Sequence, residues 1–78
     1  MRNQTEAIAQ KLLSVSRQLH TTGRTGASTG EVIAAAFIIN NMEYLPKGYT
    51  ILEAWDRLEP LWQRITLALH KTYGHQFR

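Results

Sequence analysis

The chain has 78 residues, no cysteine and a formal net charge of +3. A chain of this length forms one domain and buries only about 60% of the surface that its unfolded form exposes, so its margin of stability is small. The lack of cysteine excludes a disulfide framework and a thiolate metal site. Stability must therefore come from helix packing or from association with another chain.

The sequence carries no signal for a membrane. Its longest uninterrupted apolar run, residues 32–39, has eight residues, whereas a membrane span needs roughly 20. The first residues are polar and do not resemble a signal peptide. We therefore expect a cytoplasmic protein with no membrane partner.

The first predicted helix covers residues 3–20. Ile8, Leu12, Val15 and Leu19 recur at steps of four and three, which is the spacing of one face of an α-helix. Asn3 and Glu6 have the spacing of a capping box, in which each side chain accepts from the other residue's backbone amide. The apolar face predicts a helix that packs on the core.

A loop and a second helix are predicted next. Residues 21–30 contain three glycines and five hydroxyl residues, a composition typical of a flexible loop. Ser28 and Glu31 have capping-box spacing, and the second helix is predicted over residues 29–44. Its apolar residues occupy all sides, so it must be buried on all sides.

The apolar circumference of the second helix predicts self-association. In a three-helix domain only two neighbours can cover it, and the third sector then needs a partner chain. The alternative is that the third helix wraps far enough to cover that sector unaided. The candidate interface residues are Phe37, Ile38, Met42 and Leu45.

The third predicted helix covers residues 50–73. It opens with the capping-box pair Thr50 and Glu53. An apolar stripe at steps of four and three follows: Ile51, Trp55, Leu58, Trp62, Ile65 and Leu69. Pro60 lies inside the stripe, but the apolar phase is the same on both sides of it. We therefore predict one long helix kinked at Pro60. The predicted fold is all-α, a compact three-helix bundle of up-down-up topology in a single domain over residues 1–78.

The sequence shows no pattern that indicates a reaction. The three histidines, His20, His70 and His75, lack the i, i+4 spacing of a helical metal pair. There is no Gly-x-Ser-x-Gly nucleophile elbow and no Walker A loop. We expect a non-enzymatic protein with no catalytic residue, no cofactor and no bound metal.

The order of charges along the chain predicts a basic pole. In an up-down-up bundle the 21–30 loop and the C-terminus meet beside the N-terminus of the second helix, whose amides attract anions. The basic-pole candidates are Arg17, Arg24, Lys71 and Arg78, with the three histidines near them.

Two functions from different classes follow from these features. The leading hypothesis is a protein–protein interaction or regulatory module, either a homodimer or a binder of another protein, that associates through the second helix and part of the third. The alternative is binding of an anion or nucleic acid at the basic pole, with nucleic acid not favoured. Salt dependence separates the two, because phosphate-driven binding weakens steeply as salt rises.

Overall fold

The computed structural model describes residues 4–77, and every regular element in this range is helical. There are four α-helices, not three: α1 (Gln4–Thr22), α2 (Thr29–Ile39), α3 (Ile51–Arg57) and α4 (Pro60–Tyr73). Short 3-10 turns follow α2 (Met42–Tyr44) and α4 (Gly74–Phe77). The all-α prediction is confirmed. Asn3 and Arg78, named above in the first capping box and in the basic pole, lie outside the described residues.

The prediction of one long helix over residues 50–73 is wrong. Leu58 (φ −78°, ψ 134°) and Glu59 (φ −60°, ψ 153°) are extended, and Pro60 is the first residue of a new helix. The ring of a proline disfavours helical geometry in the preceding residue, and proline suits the first helical position, whose amide has no partner inside the helix. The apolar phase survives the break because Ala54 and Leu58 on one side, and Ile65 and Leu69 on the other, face the same core.

The second helix is shorter than the predicted 29–44. It begins at Thr29 behind the predicted capping box of Ser28 and Glu31, which the structure confirms. It ends at Ile39 because Asn40 adopts the left-handed conformation (φ 62°, ψ 45°), which asparagine tolerates better than most residues. The Asn40 backbone N–H donates to the carbonyls of Ala36 and Phe37, and this closes the helix.

The first helix extends two residues beyond the predicted end. It ends at Thr22 and is followed by Gly23 (φ 74°), whose backbone N–H donates to the Leu19 carbonyl at 2.8 Å. Glycine takes this left-handed geometry without a steric cost. The connection to α2 is therefore residues 23–28, which is shorter than the predicted 21–30 loop. Within it, the Thr25 hydroxyl donates a hydrogen bond to Gln18 Oε1 of α1 at 2.7 Å.

The helices do not alternate in direction as an up-down-up bundle would. The starts of α2 and α4 adjoin, because a Cβ built on Gly30 would lie 3.8 Å from the ring of Trp62. The ends adjoin too, because His70 Nδ1 lies 3.1 Å from the Ile38 carbonyl oxygen. The first helix runs in the same direction as α2 and α4. Lys11 of α1 shares a groove with Trp62 near the start of α4, and the last turn of α1 lies beside the end of α2.

The core is centred on α2. Six of its eleven residues are buried, and α1, α3 and α4 all contact it. The break at Pro60 supplies a third neighbour that the predicted three-helix arrangement lacked. Most of the apolar circumference of α2 is therefore covered within one chain. No described helix is both long enough and apolar enough to cross a membrane.

Candidate functional site

The four predicted self-association residues lie at different depths. Ile38 is completely buried in the core of the single chain, so its side chain offers no surface to a partner. Phe37, Met42 and Leu45 are half-buried. Of these three, Phe37 has a defined aromatic neighbour: its ring meets that of Trp55 edge to face, with centroids 5.1 Å apart and an interplanar angle of 75°.

An exposed apolar surface continues outward from this aromatic pair. Leu52 is 81% exposed and Ile51 is 53% exposed, and Trp55 is half-buried. Residues three and four apart on a helix share a face, so Ile51, Leu52 and Trp55 form one side of α3. We call Phe37, Ile51, Leu52 and Trp55 the α3 apolar surface.

Local sequence fixes α3 in place although it has only seven residues. Thr50 caps it, with the hydroxyl accepting from the Glu53 amide at 3.1 Å and the Glu53 carboxylate accepting from the Thr50 amide at 3.1 Å. This is the third capping box that the sequence predicted, and the second that the described residues confirm. At the other end, Gln63 Nε2 of α4 donates to the Trp55 carbonyl at 2.9 Å. The aromatic pair therefore rests on a helix that is held at both ends.

The predicted basic pole is only partly assembled. Arg17, Arg24 and Lys71 are exposed, and Arg78 lies outside the described residues. The N-terminus of α2, which was predicted to join this pole, lies instead at the opposite end of the chain's helical core, beside Arg57 and Trp62. The same-sense arrangement of the helices explains the difference, because it carries the start of α2 away from the end of α4.

A cleft lined by histidines lies at the end of α4. It has a volume of about 720 Å³ and lies where α1, α2 and α4 all end. We call this the histidine cleft. Its lining residues are His20, Ile39, Asn40, Asn41, Tyr44, His70, Lys71, Gly74, His75 and Phe77.

Two of the histidines in the cleft are positioned by specific contacts. His70 Nδ1 lies 3.1 Å from the Ile38 carbonyl oxygen, and because a carbonyl only accepts, that nitrogen carries the proton. The His20 ring packs edge to face on Phe77, with centroids 5.2 Å apart. Within residues 4–77, no three histidine, aspartate or glutamate side chains come together as a metal site requires.

Sequence reasoning missed Leu52 and the asparagines of the cleft. Leu52 lies off the apolar stripe of the third predicted helix, and an apolar residue off the stripe is the signal that could have marked it. The predicted second helix, residues 29–44, included Asn40 and Asn41. Their role in ending α2 depends on backbone geometry, which no periodicity in the sequence reports.

Comparison of the chain with protein-family models, with curated proteins and with solved structures finds no match. Functional inference therefore rests on the surfaces described above.

Proposed function

We propose that this chain is a non-enzymatic, cytoplasmic protein–protein interaction module, regulatory in role, that self-associates through the α3 apolar surface. One observation carries the proposal. Leu52 is 81% exposed on the same helix face as a tryptophan that is already packed against Phe37. The centre of a protein interface typically has this composition, an exposed aliphatic side chain beside aromatic rings that are fixed in place, and aromatic residues there contribute most of the binding energy.

The size of the chain favours a second copy as the partner. A domain this small has little stability to spare, so covering an apolar surface stabilises it relatively more than it would a large domain. Burying one leucine side chain contributes about 1.5–3 kcal/mol, and a two-fold interface buries the same side chain once in each copy. Association through Leu52 alone therefore contributes about 3–6 kcal/mol.

Charges around the α3 apolar surface suit pairing with a second copy. Glu53, Asp56 and Arg57 are exposed on the same short helix. The rim therefore carries both signs of charge, and a two-fold partner can place Arg57 of one copy beside Glu53 or Asp56 of the other. Such rim charges contribute more to the orientation of the complex than to its affinity.

Sedimentation of the wild-type chain and of Leu52→Glu over a range of micromolar concentrations tests the proposal. We expect the wild-type chain to form dimers and Leu52→Glu to weaken dimerisation by at least about a hundredfold, with unchanged helical circular dichroism. The matched control is Leu67→Glu, because Leu67 is also exposed (48%) but lies on α4, where its helix-face neighbours Arg64 and Lys71 are exposed too. A monomeric wild-type chain, or equal effects of the two substitutions, would overturn the proposal.

The alternative, nucleic-acid or anion binding, is separated by sedimentation of the chain with and without a short duplex DNA at two salt concentrations. Association through an apolar surface persists as salt rises, whereas binding driven by phosphates weakens steeply.

A further inference from the structure

The histidine cleft lies apart from the α3 apolar surface and has no part in the proposed self-association. None of the described residues that line it is acidic. Its polar side chains are three imidazoles, two carboxamides, a phenol and the ammonium group of Lys71, all of which can donate hydrogen bonds. We propose that the histidine cleft binds a small molecule through a phosphate group.

Asn41 presents its amide donors because its carbonyl oxygen is already occupied. Asn41 Oδ1 accepts from the Glu43 backbone N–H at 3.0 Å, as the cap of the following 3-10 turn. This bond fixes the orientation of the carboxamide. The NH₂ group, which has two donor hydrogens, is then the part of the Asn41 side chain that can bind an anion. An anion in the cleft therefore meets donors of Asn41 and not its oxygen.

The end of α2 does not repel an anion as an open helix C-terminus would. The carbonyl oxygens of a last helical turn carry partial negative charge. Here the Ala36 carbonyl accepts from the Asn41 N–H at 3.0 Å, the Phe37 carbonyl accepts from the Asn40 N–H at 3.1 Å, and the Ile38 carbonyl accepts from His70. The chain's own donors thus cover these oxygens.

Gly74 allows His70 to reach this position. A Cβ on Gly74 would lie 3.0 Å from His70 Nδ1, which is closer than atoms approach without a shift. Gly74 is buried and right-handed (φ −55°), so the conformational freedom of glycine is not what the position needs. The missing side chain makes room for the imidazole, whose Nε2 is the atom left to contact a ligand.

The shape and charge of the cleft favour a small ligand over nucleic acid. A volume of about 720 Å³ falls within the range of small-molecule pockets, about 300–1,000 Å³. Among the described lining residues Lys71 alone is permanently charged, and neither Arg17 nor Arg24 lines the cleft. Nucleic acid is bound by extended stripes or patches of basic residues, which this concave site lacks.

Protonation turns the second nitrogen of an imidazole from an acceptor into a donor and adds positive charge. The other titratable groups that line the cleft with His70 are His20 of α1, Tyr44 of the first 3-10 turn, Lys71 of α4 and His75 of the second turn. Glu43, the one acid in that first turn, is exposed and does not line the cleft.

The test is a titration of the full chain with sulfate and with ribose 5-phosphate, followed by the amide and side-chain NMR signals of the cleft. We expect a dissociation constant for the sugar phosphate at or below about 1 mM, with sulfate shifting the same cleft signals.

Three variants make the test decisive. Asn41→Asp keeps the cap, because aspartate is an equally good N-cap residue, but places a carboxylate in the cleft, and it should abolish binding. Lys71→Ala should weaken binding by about tenfold or more. Lys11→Ala, which removes the same charge from the first half of α1, outside the cleft, should have little effect. The proposal is overturned if neither anion shifts the cleft signals, if the two lysine variants behave alike, or if a short duplex DNA binds more tightly than the sugar phosphate.

Discussion

Two buried hydroxyl groups differ in how the chain satisfies them. Ser16 Oγ donates to the Leu12 carbonyl one turn earlier, at 2.8 Å. Thr66 is equally buried, yet its Oγ1 has no hydrogen-bond partner among the described residues. A buried polar group without a partner loses its hydration and gains nothing in return. Thr66 is therefore a position at which the native sequence is less stable than it could be.

Thr66→Val should raise the free energy of unfolding by about 1–3 kcal/mol, because valine has the shape of threonine without the hydroxyl. Urea unfolding measures the change. Ser16→Ala is the matched control and should lower stability by about 0.5–1.5 kcal/mol, since it removes a hydroxyl that is bonded. A loss of stability in Thr66→Val would show that the threonine hydroxyl has a partner.

Glu53 links the cap of α3 to pH. Hydrogen bonds from Thr50, first from its backbone N–H and then from its side chain, hold the pKa of Glu53 below its ordinary value of 4.5. A carboxyl whose pKa is lowered by folding stabilises the fold above its unfolded pKa. That contribution is lost as pH falls through the folded pKa.

We therefore expect Glu53→Gln to be less stable than the wild-type chain at neutral pH, and the difference to shrink as pH falls below 4.5. Urea unfolding from about pH 7 to about pH 3 measures it. Asp56→Asn, which removes a carboxylate from the same helix outside the capping box, controls for net charge. A difference that stays constant with pH would contradict the role given to the Glu53 carboxylate.

Among the elements, the pair α3 and α4 shows what apolar periodicity can and cannot predict. The stripe correctly predicted that Leu58, Ile65 and Leu69 face the core, but its first member, Ile51, is exposed. It did not predict the break, because two short helices on one core keep the same phase as one long helix. The deciding information was local: Glu59, as the residue before a proline, avoids helical geometry.

Pro60→Ala distinguishes the two arrangements. At the first position of α4 the missing amide costs nothing, and the fixed φ of proline lowers the entropy of the unfolded chain. The substitution should therefore lower stability by about 0.4–1 kcal/mol, measured by urea unfolding. In a continuous bent helix the same change would remove a penalty of about 3 kcal/mol, so a gain of that size would contradict the observed break.

The start and the burial of the second helix were predicted correctly, but the interface role that this burial suggested for Ile38 was not. Its start, its capping box and its burial on most sides follow from the sequence. The inference that Ile38 meets a partner failed because α3 and α4 are separate elements and α2 has three neighbours. The most exposed of the described large apolar side chains, Leu52, lies instead on α3 and outside the stripe.

At the scale of the whole molecule, the directions of the helices were the feature that the sequence did not predict. Residues 23–28 can span roughly 20 Å when extended, about the length of the eleven-residue α2. The connection is therefore long enough to return the chain and let α2 run in the same sense as α1. Loop composition indicated a loop but not its path, and the histidine cleft exists only because three helices end together.

The proposed dimer predicts specific contacts between the two copies. If two copies pair through the α3 apolar surface, Leu52 of one copy lies against Trp55 and Phe37 of the other, since a two-fold interface brings the same patch together from both sides. Leu67, which lies on α4 and is not part of this surface, then stays exposed in the dimer. Dimerisation leaves the histidine cleft open, because the two surfaces share no residue.

Intermolecular nuclear Overhauser effects in a mixture of isotope-labelled and unlabelled chains test this arrangement most directly. We predict cross-peaks between the Leu52 methyl groups of one copy and the aromatic rings of Trp55 and Phe37 of the other, and none from Leu67. Cross-peaks centred on Leu67, or a complete absence of intermolecular cross-peaks at concentrations where sedimentation detects a dimer, would contradict the α3 apolar surface as the site of association.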